Sequence, residues 1–67
     1  MIAITLNGKP REIGGPLSIP DFLRELEVQP KQVAVAINGE VVPRGTWRGV
    51  SLSDGDVVEV VRAVGGG

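Results

Sequence analysis

The sequence predicts a two-layer α+β domain, in which a mixed sheet of four to five strands packs on one helix. Three observations carry that expectation. Apolar and polar residues alternate through residues 2–7, 32–37 and 56–64, which is the period of half-buried strands. Two Asn-Gly pairs, Asn7-Gly8 and Asn38-Gly39, each follow such a run and mark tight hairpins, because both residue types tolerate positive φ. One stretch, Ile19, Phe22, Leu23 and Leu26, repeats at i, i+3, i+4 and i+7, the apolar stripe of a single helix.

Taken in order, Ile2, Ile4 and Leu6 form the apolar side of a first strand. Asn7-Gly8 turns it into a second, residues 9–13, which Pro10 assigns to a sheet edge. Gly14-Gly15-Pro16 ends that strand; it lacks the lysine and spacing of a phosphate-binding loop and reads as a turn. Ser18 caps the helix, Asp21 completes a capping-box-like pair with it, Pro20 fits the first turn, and Pro30 is expected to stop the helix. Phe22, the sole Phe, belongs to the core. A third strand ends at Asn38-Gly39, and a short fourth, Glu40-Val41-Val42, ends at Pro43. Residues 44–56 form a longer connection containing Trp47, Val50 and Leu52 and closed by Asp54-Gly55-Asp56, whose two acids look structural. The last strand is nearly all valine. It reads as central, beside the first strand and parallel to it, which is the arrangement of the β-grasp or ubiquitin-like fold. The inward set is Ile2, Ile4, Leu6, Leu17, Ile19, Phe22, Leu23, Leu26, Val33, Val35, Ile37, Val50, Leu52, Val58 and Val60.

Composition narrows the functions open to such a domain. A chain of 67 residues buries only roughly 60% of its unfolded surface, so its core is economical and its loops are short. It contains no Cys and no His, which removes disulfides, zinc sites of the usual ligand sets, and the commonest nucleophile and general base. No acid pair is placed by spacing to act on a substrate, so an enzyme working alone is the least favoured reading. The net charge of −1 gives no basic footprint for nucleic acid. No apolar run approaches a membrane span and no signal pattern opens the chain, so the expectation is a soluble, cytoplasmic protein that binds no metal or cofactor of its own.

The last strand runs directly into Gly65-Gly66-Gly67. This divides the chain into a folded domain, residues 1–64, and a flexible glycine tail, residues 65–67. Three residues without Cβ atoms can pass through a channel too narrow for any others, and they end in a carboxylate. On the strand itself, Glu59 faces water, so Val57, Val61 and Ala63 share its face and form an apolar strip suited to partner docking. Arg44 and Trp47 are further docking candidates, each with a plainer alternative. Trp47 can cover the open end of the core, and Arg44 can pair with a loop acid or stay solvated.

Several blocks together resemble the thiamine-biosynthesis sulfur-carrier (ThiS) family across essentially the whole chain. They are Ile4-Thr5-Leu6-Asn7-Gly8, the run from Val35 to Arg44 with Trp47 following, Leu52-Ser53-Asp54-Gly55-Asp56, and Val64-Gly65-Gly66-Gly67. The resemblance implies a carrier, not an enzyme, whose working group is the Gly67 carboxylate. That carboxylate would be adenylated by a ubiquitin-activating-type (ThiF-like) partner, which consumes ATP. Sulfur from a cysteine desulfurase or other persulfide donor would convert it to a thiocarboxylate, which serves a thiazole synthase (ThiG-like). Gly65 and Gly66 would thread the partners' clefts. Carriers of other pathways (molybdopterin, tRNA thiolation, cysteine synthesis) share the fold and the glycine end, as do ubiquitin-like modifiers conjugated to lysines. A β-grasp interaction domain with an inert tail is a third class.

Overall fold

A computed structural model of the protein describes residues 1–62. The proposed limit of the folded domain at residue 64, Ala63 of the apolar strip, and the glycines of the tail lie outside the described residues. The strands are β1 (Ile2–Leu6), β2 (Lys9–Ile13), β3 (Val33–Ile37), β4 (Glu40–Val41) and β5 (Val57–Arg62), with one helix, α1 (Ile19–Glu25), between β2 and β3. Short 310 helices cover Pro30–Gln32 and Arg44–Gly49.

The five strands form one sheet in the order β2-β1-β5-β3-β4. β1 and β5 are parallel neighbours at its centre, and every other pair is antiparallel. This is the expected β-grasp arrangement of a mixed sheet on one helix. Both hairpins turn as the sequence predicts. Asn7 and Gly8 have φ of 51° and 84°, and Asn38 and Gly39 have 53° and 86°, positive at both central residues as a type I′ turn requires.

Pro10 does lie on an edge strand, and the register shows why it costs nothing there. The backbone groups of Ala3, Thr5 and Asn7 point toward β5, with Thr5 N–H donating to Asp56 O and Asn7 N–H to Val58 O, both at 2.9 Å. Pro10 lies opposite Thr5, so its nitrogen points away from β1, where no ladder bond is lost.

The core consists of Ile4, Ile13, Ile19, Phe22, Leu23, Val33, Val35, Trp47, Leu52 and Val58. Two of these extend the inward set read from the sequence. Ile13 lies opposite Ile2 and so shares the inner face, and Trp47 is only 4% exposed. Conversely, Ile2, Leu6, Leu17, Leu26, Ile37, Val50 and Val60 are only partly buried, because a helix of seven residues cannot cover both ends of a five-stranded sheet.

The helix begins as expected and ends sooner. Ser18 Oγ accepts from Asp21 N–H at 3.3 Å. Asp21's carboxylate lies 3.8 Å from Arg24 instead of turning back to complete the capping box. Pro30 does not stop the helix, which is already closed after Glu25. Glu27 N–H donates to Arg24 O at 3.1 Å and Val28 N–H to Leu23 O at 3.2 Å, the two bonds of a Schellman motif. Glu27 occupies the left-handed position, at φ 60°, and Val28 packs back against the core. Pro30 opens the following 310 turn instead.

Candidate functional site

β5 is central to the sheet and leads to the C-terminal glycines, so its two faces and two edges define the candidate site. Its inner residue Val58 is fully buried beneath α1. Its outer residues alternate as expected. Val57 is 44% exposed and Val61 55%, with Glu59 between them. Register places small neighbours beside them: Ala34 opposite Val61, Ala36 opposite Glu59, and Thr5 beside Val57. The outer face of the sheet is therefore low in relief, largely apolar, and carries one carboxylate at its middle. Val41 extends it. This side chain is 73% exposed and lies opposite Ala36, in the same row as Glu59. Sequence reading passed over Val41, although a signal was present: a two-residue Asn-Gly loop fixes Ala36 opposite Val41.

The edges of β5 are held by the two hairpin tips. Asn38 N–H donates to Val57 O at 2.7 Å, and its side-chain Oδ1 accepts from Val57 N–H at 3.0 Å. Asn38 Nδ2 also reaches Asp56 Oδ1 at 3.1 Å. At the other end, Asn7 Oδ1 accepts from Val60 N–H at 2.9 Å and Asn7 Nδ2 donates to Val60 O at 3.1 Å. Asp54 and Asp56 are structural, as expected. Asp54 Oδ1 accepts from Ala3 N–H at 2.7 Å, and Asp56 Oδ2 from Ser53 N–H at 2.8 Å, which secures the turn that starts β5.

Trp47 and Arg44 do not join the valine face. Trp47 is buried, and its indole Nε1–H donates to Val42 O at 2.9 Å, so the ring covers the end of the core. Arg44 forms no ion pair with a loop acid. Its guanidinium lies 5.4 Å from the Trp47 ring centroid and donates to Val33 O at 3.2 Å, tying the start of the 310 helix to β3. Both side chains border a shallow apolar groove of about 170 Å³ beside β4. A second groove, of about 290 Å³, opens between Val60, Arg62 and the end of the helix. Neither holds an acid–base pair or a nucleophile suited to catalysis. Among the described residues no cluster of three or more potential metal ligands occurs, and no helix is long and apolar enough to cross a membrane.

The sequence profile of the ThiS family matches residues 4–67, from the first strand through the last glycine. The chain belongs to the ThiS family. Among similar proteins, the sulfur carrier protein ThiS of Thermus thermophilus is 41% identical over 64 residues, covering 96% of this chain and 98% of that one. The crystal structure of the thiamine biosynthesis protein ThiS from Geobacter metallireducens superposes with a TM-score of 0.87 at 38% identity, covering 98% of this chain and all of that one. A thiazole synthase of Paramagnetospirillum magneticum is 36% identical over 64 residues, and there the chain spans only 20% of the relative's length.

Proposed function

We propose that this ThiS-family chain is a sulfur carrier of thiamine biosynthesis, acting in formation of the thiazole moiety and not as an enzyme. The observation that carries the reading is the match over residues 4–67, which includes the C-terminal glycine as well as the β-grasp body. The working group is the Gly67 carboxylate, at the end of a domain comprising residues 1–64 and a glycine tail. At neutral pH a carboxylate is an anion and a poor electrophile. Transfer of AMP from ATP by a ubiquitin-activating-type partner releases pyrophosphate and makes it an acyl-adenylate. Attack by the terminal sulfur of a persulfide then expels AMP, and a thiol that cleaves the resulting acyl disulfide leaves the Gly67 thiocarboxylate.

Thiazole synthase is the proposed recipient. The match lying within a thiazole synthase of about five times this chain's length supports that pairing, since the same kind of segment there shares a polypeptide with the named activity. The outer face bearing Val57, Val61 and Val41, continued by Ala63, is the proposed docking surface. Gly65 and Gly66 thread the partners' clefts, and Arg44 and Trp47 shape the groove at its rim.

The test is the intact mass of the untagged protein, before and after incubation with ATP, an adenylating partner and a persulfide donor. A gain equal to one oxygen exchanged for sulfur, localised to Gly67, is expected. Gly66→Val is expected to fold normally and gain nothing, because a β-branched side chain obstructs the threading. An unchanged wild-type mass, with a partner shown to be active on a known carrier, overturns the reading; efficient loading of Gly66→Val overturns the threading.

A further inference from the structure

β1 accompanies β5 only as far as Leu6, opposite Val58, and then turns away at Asn7-Gly8. The next backbone groups of β5 on that side belong to Val60, and one side chain takes both of them. Asn7 accepts from the Val60 N–H and donates to the Val60 carbonyl, at 2.9 and 3.1 Å, so its amide stands in for the peptide unit that a longer β1 would have supplied. On the other edge, β3 stays paired to Val33 opposite Arg62. Asn7 is thus the final hold on the β1 side before the chain leaves for Gly67, seven residues beyond Val60.

We infer that Asn7 is a positioning residue for delivery of the Gly67 carboxylate, an inference that rests on the carrier reading. A glycine tail offers a partner no side chains to grip, so the direction in which β5 launches it decides where the carboxylate goes. Seven extended residues span at most about 24 Å, and over that length a tilt of about 10° at Val60 displaces the end by about 4 Å. Adenylation requires reacting atoms placed to within about an ångström. The Asn7 amide lies in the plane of the sheet at the edge of β5, apart from the outward-facing valines, so loosening it leaves docking intact while spoiling delivery.

Asn7→Gly isolates this role, because glycine keeps the positive φ of the turn and removes only the amide. Asn38→Gly is the matched control. It removes the corresponding amide at the other end of β5, beside Val57 and Asp56. The measurement is pyrophosphate release from ATP by the adenylating partner as carrier concentration varies, alongside urea midpoints and hydrogen exchange at the Val60 amide. Both variants are expected to lose similar stability. Only Asn7→Gly is expected to lower kcat, by about tenfold, with KM within about twofold of wild type and Val60 exchange faster by about tenfold. Equal kcat for the two variants, or a change in Asn7→Gly confined to KM, overturns the inference. A wild-type protein that releases no pyrophosphate with a partner active on a known carrier removes the carrier reading and the positioning role together.

Discussion

Trp47 shows how one residue can be visible in a sequence while its task is not. As the sole Trp in a connection without strands, it invited a docking role as readily as a packing one. The structure buries its ring and gives its N–H to the Val42 carbonyl, while Arg44 lies against the ring and caps Val33. Trp47→Phe would keep an aromatic ring but leave a gap and an unanswered carbonyl at Val42. Unfolding in urea, followed by circular dichroism, is expected to show a loss of about 2 kcal/mol. An unchanged midpoint would mean that the ring does not close the core. Asn7 and Asn38 make the same point differently. Their turns were legible from the Asn-Gly pairs alone, because that chemistry is local. The second use of each side chain, as a clamp on β5, depends on residues up to 53 positions away and leaves no local mark.

At the scale of elements, the strands were the most legible part, since each period-two run is bounded by a residue with a physical reason to end it. Pro10 named its own edge for the same reason. The end of α1 was the least legible. A proline at position 30 looked like the stop, whereas the helix is closed by the Schellman bonds of Glu27 and Val28. Glutamate is a poor signal for that position, which favours glycine, and its charge sits at the negative end of the helix. Glu27→Gly is therefore expected to stabilise the protein by about 0.5–1 kcal/mol, read as a higher urea midpoint. A lower midpoint would show that the Glu27 side chain contributes more than its backbone conformation costs.

At the scale of the whole molecule, the topology followed from one placement, β5 beside β1, which joins the two ends of the chain at the centre of the sheet. The all-valine composition of β5 made that placement readable, because an edge strand so apolar would be a liability. The extent of the outer face was less readable. Its boundary depends on Val41, Ala34 and Ala36 lying in register with β5, and register between strands distant in sequence is a tertiary property.

Glu59 has a consequence for company. A flat valine-bearing face invites a second copy of itself, and a twofold contact across its middle would press two Glu59 carboxylates together, away from water and without a counter-charge. A different protein offering a lysine or arginine at that point meets no such penalty. One acid thus turns an adhesive surface into a discriminating one, keeping the molecule solitary between successive encounters. Glu59→Val is expected to convert a monomer into a concentration-dependent dimer in sedimentation experiments; a variant that stays monomeric at high concentration would show that the valines alone do not attract a twin.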